Sequence, residues 1–173
     1  VTDVPWMWSV GTKYTFHEGT FLELGYGESK NHLRIGHIKT SYVHKLNEKN
    51  KITFGYHLYA MADQDDSGAN ANDNFDGIAT QHYLFGKYEH GFWNVRLEGT
   101  YTRARASNPY QLGYFAYRLT DRNGSSKGAY DVWWDARSDW NADREKAVFV
   151  ALERKLDDLL PVHGFYAGAG FAY

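Results

Sequence analysis

Apolar and polar residues alternate with a period of two along most of this chain, in runs of about ten residues each. Trp8, Val10, Tyr14 and Phe16, with Thr12 among them, share one face of an extended segment, and Ser9, Gly11, Lys13 and Thr15 take the other. Ile52, Phe54, Tyr56 and Leu58 alternate with Thr53, Gly55, His57 and Tyr59. Trp93, Val95, Leu97 and Tyr101 alternate with Asn94, Arg96, Glu98, Thr100 and Thr102. Successive side chains of a strand point to opposite faces, so this period predicts strands and not helices. Noisier runs follow at Thr20–Gly27, Arg34–Leu46, Ile78–Glu89, Lys146–Leu156 and Gly164–Tyr173. The sum is about eight strands of a length that lets a tilted strand cross a bilayer, roughly twice that of an ordinary soluble strand.

The connectors alternate as well. His17–Gly19, Asn47–Asn50 and His90–Gly91 read as tight turns, with Asp157–His163 somewhat longer; Glu28–Leu33, Asp63–Asp76 and Arg105–Glu145 read as wider loops. Turns at one end and loops at the other are the pattern of an up-and-down meander, not of a Greek key. The fold class expected is therefore all-β: a transmembrane antiparallel up-and-down barrel, with residues 1–173 as a single segment and 105–145 folding into the lumen. One face carries rings near strand ends (Trp8, Phe16, Trp93, Tyr101, Phe171, Tyr173), as membrane boundaries require. The other carries Lys13, Glu23, Lys87, Arg96 and Glu98, which suit a wet lumen. A two-sheet soluble β protein with those charges facing solvent is the rival.

Composition agrees with this. The 173 residues include 14 Tyr, 10 Phe, 6 Trp, 17 Gly and 3 Pro, yet mean hydropathy is only -0.62. The formal charge of -2 gives no basic footprint for nucleic acid, and the absence of cysteine excludes disulfides and thiolate metal sites. No apolar run has the length of a membrane-spanning helix, and Val1–Pro5 lacks the pattern of a secretory leader.

Chemistry-bearing motifs are few. No nucleophile elbow, phosphate loop or HExxH occurs, and the eight histidines are scattered, with His37 and His44 read as polar strand residues. Nothing aligns a Ser–His pair, so no catalytic residue and no enzyme activity is expected. Asp63, Asp65 and Ser67 fall on ligand positions of a calcium loop, but the twelfth position is Asn74 and strands flank the segment, so a solvated acidic loop is the favoured reading and no metal or cofactor is expected. Tyr110, Tyr114, Phe115 and Tyr117 suit either sugar stacking or packing against the barrel wall. Val132–Trp140 is the densest stretch: Trp133, Trp134 and Trp140 surround Asp135, Arg137 and Asp139. Folded into a lumen opposite Arg96, it would orient a polar solute between fixed charges; as an outer cap it would pair its own.

Leu97–Tyr101, Asp131–Ala142 and Glu145–Phe149, and less specifically Ser9–Tyr14 and Lys39–Tyr42, resemble the OprD family of Gram-negative outer-membrane porins, and within it the enterobacterial chitoporin branch. The resemblance implies a barrel of roughly eighteen strands, wide enough to leave an aqueous channel. It implies a monomer in outer-membrane lipid that passes small polar solutes: chitooligosaccharides in the one branch, amino acids and related small charged nutrients in the other. By position it puts Ser138 and Asp139 at the constriction, with Arg137 and Asp135 matching the chitoporin-like form; Arg96, Glu98 and Arg103 are candidate lumen charges. Members of that family are more than twice as long, so the chain is expected to supply about eight strands of a wider barrel, with a self-closed eight-strand barrel as the rival. A saccharide is the preferred solute, with small charged nutrients or a soluble carbohydrate-binding module as alternatives.

Overall fold

The computed structural model describes residues 5–30, 32–64, 75–106, 110–117, 119, 140–159 and 164–173. Eight strands run β1 (Met7–His17), β2 (Thr20–Ser29), β3 (Leu33–Lys45), β4 (Asn50–Asp63), β5 (Ile78–His90), β6 (Trp93–Arg103), β7 (Lys146–Lys155) and β8 (Tyr166–Ala172). They form one antiparallel sheet in strict sequence order, β1 to β8, so every ladder joins chain neighbours. β8 does not return to β1. The sheet is open, and the self-closed eight-strand barrel is thereby set aside.

Register carries one parity of side chain across the sheet. Lys13 faces Glu23, Glu23 faces Lys39, Lys39 faces His57, His57 faces Tyr83 and Tyr83 faces Thr100. These positions, with Lys87, Arg96 and Glu98, lie on one face. The other face presents Val10, Leu24, Ile38, Phe54, Leu84, Leu97 and Val150, all substantially exposed. An exposed face made of large apolar side chains is what lipid covers, since a water-facing sheet alternates polar outward.

Tight turns at one end are set by local chemistry. Gly91 turns β5 into β6 with φ of 56°, a left-handed conformation that glycine adopts without a Cβ penalty, and its N–H donates to the Lys49 carbonyl of the adjacent turn at 2.9 Å. At the opposite end the Glu28–Leu33 connector is short, not wide. The Ser29 hydroxyl accepts from the Leu33 N–H at 3.1 Å, closing the chain reversal with a side chain. The Lys155-to-Tyr166 link, at the short-turn end, is the longer of the two. Loop length therefore alternates less strictly than expected; the other two wide connections, β4–β5 and β6–β7, are where the sequence places them.

Candidate functional site: the inner face and its docked loop

The polar face divides along the strands. Towards the loop end it is an apolar floor of Leu33, Ile35, Tyr59, Met61, Ala79 and Tyr83. Towards the turns it is a belt of charge. Both arms of the long β6–β7 connection come down on the floor. Phe115 (1% exposed) and Tyr117 (5%) are buried in it, and Leu119 and Trp140 pack against it. The sequence left open whether the tyrosine-rich stretch packs on the wall or stays available for contact; the structure divides it. Phe115 and Tyr117 pack, while Tyr114 (46% exposed) and Tyr110 (96%) remain accessible.

The arms hold each other and the wall through specific bonds. Tyr114 pairs with Ala142 in a short antiparallel bridge; the Phe115 N–H donates to the Asn141 carbonyl and the Asn141 amide returns a bond to the Phe115 carbonyl, both at 2.8 Å. Asp143 accepts from the Ala104 N–H at 2.8 Å, and Glu145 from the Ala142 N–H at 2.9 Å. Trp140 has φ of 51°, uncommon for a residue with a Cβ and worth about 1 kcal/mol of strain or more. Its carbonyl is fixed by two wall donors, the Gln81 amide at 2.9 Å and the Thr102 hydroxyl at 3.0 Å. Deep in the first arm, the Tyr117 hydroxyl meets His37 Nδ1 at 2.8 Å, and the Tyr117 ring lies 5.1 Å from that of Tyr59. Burial, with the Glu23 carboxylate nearby, holds the Tyr117 phenol well above its ordinary range.

His37 ties that contact to the belt. Its other nitrogen lies 3.2 Å from Glu23, which also takes Lys39 at 3.1 Å and Lys13 at 3.5 Å. The ring has room because Gly25 opposes it: a Cβ there would lie 2.2 Å from His37 Cε1. Two more groups continue the belt. Glu89 bridges Lys51 at 2.8 Å and Lys87 at 3.3 Å, and Arg96 bridges Glu98 and Glu153, the latter at 3.2 Å. Beside Arg96, Phe149, Glu153 and Tyr166 border a cavity of about 510 Å³. Charges in such paired rows lend fixed donors and acceptors to a solute without leaving a buried charge unpaired.

Several sequence candidates find their place here. Arg96 and Glu98 lie on the inner face in contact with each other. Arg103 does not share that face: it continues the parity of Trp93, Leu97 and Tyr101, at the loop end of β6, opposite Thr80. The alternation places it on the outer side, and its charge alone had suggested the lumen. Trp133, Trp134, Asp135, Arg137, Ser138 and Asp139 lie outside the described residues, as do Asp65 and Ser67. Asp63 ends β4, its N–H bonded to the Gly77 carbonyl at 2.8 Å, and among the described residues no group of three His, Cys, Asp or Glu side chains could hold a metal ion. Sequence reasoning missed His37, Gln81 and Thr102 as the loop's docking points. Their inward parity was the signal available.

No family model matches the chain. It is 36% identical over 174 residues to the protein named chitoporin from Escherichia coli strain K12, an alignment covering 99% of this chain and 36% of that protein. In structure it is similar to OccAB1 of Acinetobacter baumannii (TM-score 0.75, 16% identity, covering 96% of this chain and 41% of that one). It is also similar to the outer membrane protein OprD of Pseudomonas aeruginosa (TM-score 0.67, 14% identity, 96% and 38%). OpdK of Pseudomonas aeruginosa, solved with vanillate, superposes with a TM-score of 0.74 at 13% identity, covering 96% of this chain and 40% of that one. The chain thus spans roughly two fifths of the length of the proteins it matches. The chain is similar in sequence to a chitoporin, and its fold is that of a stretch of the antiparallel sheet in OprD and OccAB1.

Proposed function

We propose that the chain supplies part of the wall and the inward-folded loop of a Gram-negative outer-membrane channel, through which small polar solutes cross by facilitated diffusion with no chemical step. The observation that carries this reading is the pairing of opposite faces: large apolar side chains outside, and a charged belt with a docked loop inside. A soluble carbohydrate-binding module would expose the outer face to water, an apolar patch far beyond what soluble proteins show. Residues 105–145 form the constriction. Trp140 is pinned to the wall by Gln81 and Thr102, and Asp139, Ser138, Arg137 and Asp135, which precede it in the chain, are the residues assigned to selecting the solute. Trp133, Trp134 and Tyr114 are assigned ring contacts with the solute and Arg96 and Glu98 contribute charge, whereas Tyr117, expected among those rings, is buried and anchors the arm instead.

Chitooligosaccharides are the preferred solute. The homologue's name and the exposed Tyr110 and Tyr114 beside the docked arm support that choice, because sugars stack their C–H faces on rings in wet surroundings. A second reading, a channel for amino acids or other small charged nutrients, is favoured by the lysine-rich belt around Glu23 and Glu89 and by the vanillate in OpdK. The barrel works as a monomer in lipid. The test is single-channel recording of the full-length protein in planar bilayers: brief blocking events scaling with chitooligosaccharide length are expected. A channel blocked only by small carboxylates would transfer the assignment to the second reading, and no channel at all would remove both.

A further inference from the structure

Several cations near strand ends have acidic partners: Lys45 contacts Glu18 at 2.9 Å and Arg154 contacts Asp158 at 2.6 Å at the turn end, and Arg34 contacts Glu28 at 3.3 Å at the loop end. The loop end of β6 and β7 differs. Arg103 and Lys146 are exposed, lie on the lipid-facing parity of β6 and β7, and make no ion pair among the described residues. Arg144 adjoins them, 82% exposed, with only a long contact of 3.6 Å to Asp143. The β6–β7 ladder pairs Tyr101 with Lys146, and the Arg144 N–H donates to the Thr102 carbonyl at 2.9 Å. The Thr102 N–H also donates to the Glu145 carbonyl at 3.0 Å, so Arg144 and Glu145 together oppose Thr102 in a bulge. Arg103 is the diagonal neighbour of Lys146 on the outward parity, and strand geometry brings the backbones of the three cations within about 10 Å.

Directly towards the membrane from this cluster lies a row of polar rings. Lys146 sits over the Tyr101 ring at 5.8 Å, His82 stacks on the same ring at 6.0 Å, and Tyr56 bonds His82 Nδ1 at 2.6 Å. Rings with polar tips mark headgroup depth, and in these barrels the longer loops face outward, so the cluster lies at the outer leaflet. Arg103 and Lys146, like charges without an acidic partner among the described residues, are unfavourable side by side unless an anion joins them, and Asp143 answers only Arg144.

We infer that Arg103, Lys146 and Arg144 form a site for the phosphoryl headgroup of an outer-leaflet lipid, with the Tyr101–His82 row beneath it against the headgroup. The inference rests on the porin reading, which sets the orientation in the membrane.

The test uses the full-length protein in detergent and native mass spectrometry with a synthetic phosphorylated glycolipid and its dephosphorylated form. The phosphorylated lipid is expected to bind the R103Q/K146Q variant about thirty-fold more weakly, about 2 kcal/mol for two near-surface cations. The R103K/K146R variant should retain binding, and the dephosphorylated lipid should bind both proteins as weakly as the double variant does. Equal binding by wild type and R103Q/K146Q would overturn the site. Competition by millimolar inorganic phosphate would assign it to a soluble anion and overturn the lipid assignment. Planar-bilayer conductance of the same preparations separates the two readings: a conducting wild type without a lipid preference defeats this inference alone, whereas a non-conducting wild type defeats the porin reading beneath it.

Discussion

Replacing Leu97 by arginine tests the assignment of faces directly. Leu97 is the fifth of the 11 residues of β6 and points outward, 55% exposed in the bare chain. A rise of about 3.3 Å per residue and a tilt of about 40° spread that strand over about 25 Å of bilayer, leaving Leu97 within a few ångströms of the midplane. A guanidinium there costs about 2–4 kcal/mol of folding stability. The matched control is Thr53→Arg, inward at nearly the same depth, where it meets Lys87 across the β4–β5 ladder. Like-charge repulsion through water costs about 1 kcal/mol at most. The assay is urea unfolding of full-length protein in liposomes, followed by tryptophan fluorescence. The expected order is Leu97→Arg well below Thr53→Arg in stability. In water a half-exposed leucine would tolerate arginine within about 0.5 kcal/mol. Indistinguishable midpoints for Leu97→Arg and wild type would therefore refute the membrane-facing assignment.

Four further outcomes follow from the inner face. Tyr117→Phe removes the hydroxyl bonded to His37 and should weaken loop docking by about 1 kcal/mol, seen as faster amide exchange at Phe115 with strand stability unchanged. The raised Tyr117 phenol predicts a pH dependence: docking is fully stable below the ordinary tyrosine value and is lost as pH rises through the higher folded one, so the phenolate absorbance of Tyr117, isolated by difference against Tyr117→Phe, should appear only above the ordinary tyrosine range and together with added current noise. Glu23→Gln leaves Lys13 and Lys39 without their carboxylate, and the reversal potential under a salt gradient should move towards anion preference. Gly25→Val drives a side chain into the His37 ring and should cost about 1–3 kcal/mol by overpacking, with the greatest exchange increase at Tyr117.

The strands were legible because the outward parity of β1, β4 and β6 is mostly apolar, broken only by Thr12 and at the strand ends by Asn50 and Arg103. β3 was noisier for a physical reason. Its inward residues pass from Leu33 and Ile35 under the docked loop to Lys39 in the wet belt, so one parity carries both polarities. Arg103 shows the opposite error, since parity with Tyr101 was visible and its charge outweighed it. The turn after Ser29 was hidden because a hydroxyl, not a glycine, closes it. Docking through His37, Gln81 and Thr102 was out of reach because it joins residues distant in sequence, and no local pattern marks such partners.

The sequential order of the sheet sets how the molecule assembles. Every ladder joins consecutive strands, so most hairpins close with little loss of chain entropy, and low contact order favours rapid zippering. The passage from Arg103 to Lys146 breaks that rhythm. Closing a loop costs only about 0.6 kcal/mol more for each doubling of its length, but the cost falls before any β6–β7 bond repays it. The Tyr114–Ala142 bridge and the bonds of Asp143 to the Ala104 N–H and the Gly113 carbonyl shorten the effective loop by joining its two arms near the strand ends. Variants that unzip this clasp should slow insertion of β7 and β8 while leaving the finished barrel's equilibrium nearly unaltered, making the loop's root a pacemaker of folding.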